Sequence, residues 1–205
     1  MFAGELPAFD TERAPEQPGE LFLSWLLAAI DAGVREPHAM TLATVDADGR
    51  PSTRVLILKG LTDGQWQFAS SRTSRKGREL ERTPWAAANF YWGELGRQVR
   101  LRGRVLDAGS REAARDFLAR PPGSRAESLV GHQSETLTGR AELREAVAEA
   151  RARIAGEPEL VPEHWALFNL APDEVEFWQA DADRQHTRLL YTLVHGRWQR
   201  RLLWP

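Results

Sequence analysis

The sequence contains no cysteine. That absence excludes a disulfide framework, a thiolate nucleophile and cysteine-ligated zinc or iron–sulfur centres. Long apolar runs are missing too. The longest, Leu21 to Ile30, is interrupted by Ser24 and is shorter than the about 20 residues a helix needs to cross a bilayer. No basic segment followed by an apolar core opens the chain, so no signal peptide is expected and the cytoplasm is the expected location. Nor is there an excess of positive charge. The 27 basic and 29 acidic residues leave a formal net charge of -2, which gives no global field to recruit nucleic acid or anionic lipid. G-x-S-x-G, P-loop and G-x-G-x-x-G patterns are absent, so the common hydrolase, NTPase and dinucleotide motifs are excluded. His38, His132 and His164 lack ligand spacing, and no metal site is expected. Lysine is scarce: among the 27 basic residues only Lys59 and Lys76 are not arginine. A compact ammonium in an arginine-rich chain marks positions where a point charge suits better than a planar fork, unless it merely survives base bias.

What is present is a chain of 205 residues, 42% hydrophobic and 27% charged, the make-up of an ordinary globular protein. Residues 1–17, with Pro7 and Pro15 and no periodicity, read as a mobile arm. Residues 18–205 read as one domain. Apolar spacing predicts an amphipathic helix over Glu20–Val34, ended by Gly33 and Pro37. A hairpin follows, Met40–Val45 and Ser52–Leu58 about the turn Asp46–Gly49, and then a strand Trp66–Ser70. Ser74 is placed to cap a short basic helix, Arg75–Arg82. Strands Trp85–Trp92 and Gln98–Leu106 come next. Helical stretches over Arg111–Ala119, Ser124–Val130 and Glu142–Ile154 precede further strands at Trp165–Leu170, Glu174–Gln179, Arg188–Val194 and Trp198–Leu203. About eight strands with three or four helices outside them suggest a mainly β protein, a small antiparallel barrel with helices packed around it.

Four constellations could carry chemistry. Arg54 and Lys59 bound an apolar strand, as an edge meeting water or as two functional cations. Ser74-Arg75-Lys76-Gly77-Arg78 opens a helix, where free N–H groups, a hydroxyl and cations together make a phosphate site; a solvated basic turn is the alternative. In Arg97–Arg104, cationic and apolar residues alternate, which suits a solvated or subunit-facing strand better than a nucleic-acid surface without interleaved aromatics. Finally, Glu176-Phe177-Trp178-Gln179 and Arg184-Gln185-His186-Thr187-Arg188 could wall an anion pocket.

The order of these motifs is more specific than any one of them. M-T-L-A-T-V-D-A-D-G-R-P-S-T-R-V-L-I-L-K (40–59), S-R-K-G-R-E-L (74–80), R-Q-V-R-L-R-G (97–103) and R-P-P-G-S (120–124) follow the sequence of the pyridoxamine 5′-phosphate oxidase family. Q-S (133–134), E-F-W-Q (176–179), R-Q-H-T-R (184–188) and the terminal R-L-L-W-P complete a resemblance that covers residues 20–205. The resemblance implies a six-stranded, Greek-key-like split barrel that binds flavin mononucleotide (FMN), and a homodimer with flavin sites between subunits. It implies that Arg54, Arg75 and Lys76 hold the flavin phosphate, with Lys59, Ala69, Ser70, Gln98, Gln133, Ser134, Trp178 and Arg188 binding the rest of the cofactor. Lys59, Arg120 and Ser124 would clamp a substrate phosphate, and Arg184 and His186 would be the catalytic pair at the reacting end. The implied reaction converts pyridoxine or pyridoxamine 5′-phosphate to pyridoxal 5′-phosphate with dioxygen as acceptor.

Three departures fall on the substrate side. Asp116 stands where the family has a tyrosine, A-E-S-L-V-G (126–131) replaces a Gly-Ala-Trp-type stretch, and Gln185 replaces an aliphatic residue. The chain also shares G-V-R-E-P, R-P-S-T-R, K-G-R-E-L and Q-S-E-T-L with the related oxidases of phenazine biosynthesis, which act on phosphate-free tricyclic compounds. A flavin- or deazaflavin-binding module without oxidase activity is a third alternative.

Overall fold

The computed structural model describes residues 6–205, so the first five residues of the expected arm lie outside the described residues. The chain forms helix α1 (Pro18–Asp31), strands β1 (Ala39–Val45), β2 (Pro51–Ile57), β3 (Gly60–Thr62) and β4 (Gln65–Ser71), helix α2 (Arg75–Arg82), and strands β5 (Trp85–Trp92) and β6 (Arg97–Asp107). Three helices follow, α3 (Ser110–Leu118), α4 (Pro122–Val130) and α5 (Arg140–Gly156), and then strands β7 (Trp165–Gln179), β8 (Thr187–Val194) and β9 (Arg197–Leu202).

All the strand pairs are antiparallel, and the nine strands share one sheet ordered β2-β1-β5-β6-β7-β4-β3, with β8 and β9 branching from β7. Strand β7 is the pivot. Its first half, Trp165–Leu170, pairs with β4, its second half, Glu174–Gln179, with β8, and β6 runs along its other side. The sheet therefore splits at β7, and β2 curls back into contact with β4. This is the expected mainly β split barrel.

The element count departs from expectation. The structure has nine strands and five α-helices against about eight and three or four; run by run, the differences are an added strand, β3, and the joining of 165–170 with 174–179 into the single strand β7. Pro172 suggests a break there, yet it sits where the β6–β7 register shifts between Arg102 and Gly103, and a bulge tolerates a residue without an N–H. Gly103 makes this possible: a Cβ there would overlap the Ala171 carbonyl.

Helix α1 plugs the barrel with Leu21, Phe22, Trp25 and Ala29. Phe22 meets Phe90 edge-on at 4.8 Å and Trp66 at 5.5 Å, while Trp25 meets Phe177 at 5.2 Å. Each such pair adds about 0.5–1.5 kcal/mol beyond the area it buries. Part of the expected arm is also tied down. Phe9 packs on Trp25 at 4.9 Å, Ala14 is buried, and the Tyr191 hydroxyl donates to the Pro15 carbonyl at 2.7 Å. Outside the barrel, α3 buries Phe117 against Trp165, and α4 packs on α5 through Ala126, Ala150 and Ile154.

Candidate functional site

Helix α2 begins as expected. The Ser74 hydroxyl accepts from the Gly77 N–H at 3.2 Å and donates to the Ser71 carbonyl at 2.7 Å, which pins the helix start to the end of β4. Gly77 permits this approach, since a Cβ there would collide with the carbonyls of Ser71 and Arg72. The amino end of α2 is thus fixed beside Ser70. The positive end of a helix dipole there favours an anion.

Three cations converge on this point. Lys76 is buried, and its Nζ donates to Ser70 Oγ (2.8 Å), Gln133 Oε1 (2.9 Å) and Ser74 Oγ (3.2 Å). None of these is a carboxylate, and among the described residues no carboxylate lies within ion-pair distance of Lys76. Burial, reinforced by the charge of Arg54 and opposed by Glu79, pulls the Lys76 ammonium down to about 8. Arg54 and Arg75 are held by Glu79, whose buried carboxylate accepts from Arg75 Nε at 2.8 Å, Ser52 Oγ at 2.9 Å and Arg54 at 3.4 Å, and from the Thr44 hydroxyl. Burial would raise Glu79, but these hydrogen bonds and the Arg54 charge hold it below the usual carboxylate range. Ser134 accepts from the Arg75 N–H at 3.2 Å. Three cations against one anion leave two positive charges without a counter-ion, which matches a phosphate dianion. The residues present therefore fit the phosphate of FMN.

Ser70, Ala69 and Gln133 open onto a cavity of about 640 Å³, which reaches Lys59, Arg120 and the apolar side chains of Val55 and Ile57. Lys59 Nζ is ion-paired with Asp116 Oδ1 at 2.9 Å, with the Asp116 side chain only 8% exposed. The other Asp116 oxygen accepts from Trp165 Nε1 at 3.0 Å, and the Arg120 guanidinium lies over the Trp165 ring at 4.5 Å. Arg120 Nε is buried without a partner. Ser124 sits in the first turn of α4 and is not part of the cavity wall.

The remaining expected residues lie at the other end of β7. Gln98 on β6 faces Trp178 on β7, which in turn faces Arg188 on β8. Arg188 Nε donates to buried Glu176 at 2.8 Å, and Arg100 binds the same carboxylate. Hydrogen bonding to Glu176 raises the Arg188 guanidinium above its usual value. His186 packs on Trp178 with ring centroids 5.0 Å apart, and its Nδ1 accepts from the Asp181 N–H at 3.0 Å. In the neutral ring this hydrogen bond fixes the Nε2–H tautomer. Arg184 and Gln185 are exposed in the β7–β8 connection, and Arg184 holds a left-handed φ of 64°.

Within one chain the two groups lie toward opposite ends of β7: Ala166, opposite Ser70, and Trp178 are about twelve residues apart, roughly 40 Å along the strand at about 3.3 Å per residue. Sequence reasoning missed Glu79 and Trp165 as supports and read Glu176 only as part of a pocket wall. Glu79 had a local signal, four residues after Arg75 on the same helix face. Trp165 had none.

Comparison with known proteins finds relatives over most of the chain. The family described as Pyridoxamine 5′-phosphate oxidase matches residues 26–154, and the Pyridoxine 5′-phosphate oxidase C-terminal dimerisation region matches residues 165–205. A pyridoxine/pyridoxamine 5′-phosphate oxidase of Pseudomonas putida (strain GB-1) is 42% identical over 195 residues, covering 94% of this chain and 91% of the relative. Its counterpart from Paraburkholderia phytofirmans is 40% identical over 198 residues, with 96% and 91% covered. Among solved structures, PhzG from Burkholderia lata 383, in complex with tetrahydrophenazine-1-carboxylic acid, superposes with a TM-score of 0.93 at 36% identity, covering 98% of this chain and all of that one. An FMN-binding protein from Nostoc punctiforme shares the fold, with a TM-score of 0.77 at 17% identity over 94% of this chain and all of that one.

Proposed function

The chain belongs to the pyridoxamine 5′-phosphate oxidase family, and from that footing we propose that it is an FMN-dependent oxidase of a small ring-bearing amine or alcohol. Pyridoxine and pyridoxamine 5′-phosphate are the substrates to which the names of its relatives point. The observation that carries the proposal is buried Lys76, without a carboxylate partner, beside the Ser74-capped amino end of α2 and flanked by Arg54 and Arg75.

FMN, when bound, supplies a hydride acceptor at N5 and returns the electrons to dioxygen as hydrogen peroxide. The chain supplies position and charge. Arg54, Arg75 and Lys76 hold the flavin phosphate, with Ser70, Gln133 and Ser134 completing the hydrogen bonds around it. Ala69, Gln98, Trp178 and Arg188 line the remainder, Arg188 being kept in place by Glu176. Lys59 and Arg120 take the charged end of the substrate. His186 presents its Nε2–H to the amine or alcohol substituent whose carbon is oxidised to the imine or aldehyde, with Arg184 and Gln185 beside it in the β7–β8 connection.

The two groups on β7 work together if they come from different subunits of a homodimer. The 165–205 match to a dimerisation region supports this, as do exposed Val55, Ile57, Trp85 and Tyr91 on the sheet face. The ion pair between Lys59 and Asp116 favours a second reading, a substrate without a phosphate, as for the tetrahydrophenazine carboxylic acid bound by PhzG. Peroxide release by the flavin-loaded protein, measured on pyridoxine 5′-phosphate, pyridoxamine 5′-phosphate and a panel of ring carboxylates, tests the proposal. Turnover on none of them would count against it.

A further inference from the structure

Lys59 and Arg120 are the two lysine or arginine side chains that line the 640 Å³ cavity among the described residues. Lys59 already has a counter-ion in Asp116 at 2.9 Å, and Asp116 is not free to swing away. Its second oxygen is bound by Trp165 Nε1 at 3.0 Å, and Trp165 is itself clamped between Phe117 and Arg120. Elsewhere the cavity wall adds Glu127, Glu135 and Glu142. Arg120 forms no ion pair among the described residues, and its buried Nε has no partner. An anion reaching Lys59 therefore meets a cation already paired to an anchored carboxylate, and Lys59, Arg120 and Asp116 together leave one net positive charge to meet it.

We propose that Asp116 is the specificity-determining residue of this subsite, and that it selects substrates carrying a single negative charge, a carboxylate or sulfate, over those carrying a phosphate dianion. The proposal rests on the oxidase reading of the same cavity and names its substrate class. A monoanion meets the one net charge that Lys59, Arg120 and Asp116 leave. A dianion brings a second negative charge that no cation answers, and that charge is repelled by Asp116 where solvent screening is reduced.

The test uses two esters of one shape and different charge, pyridoxal 5′-phosphate and pyridoxal 5′-sulfate, titrated calorimetrically against the FMN-loaded protein. The wild type should bind the sulfate ester at least as tightly as the phosphate ester. Asp116→Asn keeps the side-chain shape and the acceptor for Trp165, and should shift the ratio toward the phosphate ester by about tenfold or more. Tryptophan fluorescence and the thermal midpoint report whether that variant keeps its fold, and Asp116→Ser provides a second neutral variant. A merely structural role would weaken both esters together and leave the ratio alone. The proposal is overturned by a ratio unchanged in both variants, by a wild type that prefers the phosphate ester tenfold, or by binding of neither ester. Failure of the oxidase reading has a different signature, a protein that holds no FMN or never reduces it.

Discussion

Alkaline pH should strip FMN from this protein, and Lys76 should be the reason. Its ammonium is buried among Ser70, Ser74 and Gln133, and burial holds its pKa at about 8 against an ordinary 10.5. A bound phosphate dianion favours the charged form, so binding above pH 8 must take up a proton. The protonated fraction falls from about nine-tenths near pH 7 to about one-tenth near pH 9, so the Kd for FMN should rise about tenfold across that interval. The ligand does not titrate there, because a phosphate ester loses its second proton near pH 6. Lys76→Met removes the charge at all pH values. A charge-assisted hydrogen bond contributes about 1.5–3 kcal/mol, so FMN should bind about tenfold to a hundredfold more weakly near pH 7, with no further loss by pH 9. Quenching of FMN fluorescence, titrated at each pH, measures both. A flat wild-type profile, or the same slope in Lys76→Met, would refute the reasoning. In the flavin-free protein the unfolded chain is the stronger proton binder between about 8 and 10.5, so the contribution of Lys76 to stability should rise with pH across that window.

Other consequences can be checked separately. Gly77→Ala should abolish FMN retention, because α2 must move away from the carbonyls of Ser71 and Arg72; full flavin occupancy by absorbance would contradict the packing. Glu176→Ala removes the buried carboxylate shared by the part-exposed Arg100 and Arg188 and should cost about 1.5–3 kcal/mol in urea unfolding. Light scattering should report twice the chain mass, and dilution should release flavin together with subunits. A monomer retaining stoichiometric FMN would rule out a site built from two chains.

Much of this arrangement was legible in the sequence wherever local rules govern. Ser74 reads as a cap because a hydroxyl before a helix has an unpaired N–H to accept from, and it accepts from Gly77. The scarce lysines both fall in the candidate site for the reason given by their chemistry: one is a buried point charge, the other an ion-pair partner at a cavity wall. Pro172 misled because its effect depends on the strand opposite. Only the close approach at Gly103 turns a break into a bulge. Asp116 was visible as a departure, but its pairing with Lys59 joins residues far apart in the chain. Its anchoring by Trp165 belongs to a small cluster on α3 and β7 that no periodicity announces. The described part of residues 1–17 packs by aromatic contact and a carbonyl acceptor, neither of which composition reveals.

Anaerobic mixing of the FMN-loaded protein with its substrate is the most direct test of the central claim. If this chain positions a ring-bearing amine or alcohol for hydride transfer to flavin, the absorbance of the oxidised flavin near 450 nm should bleach in one turnover on pyridoxine 5′-phosphate or on a ring carboxylate. Admitting oxygen should restore it with release of one peroxide per flavin. A protein that binds FMN tightly yet stays yellow with every such substrate would contradict the claim and leave a flavin-binding barrel without oxidase chemistry.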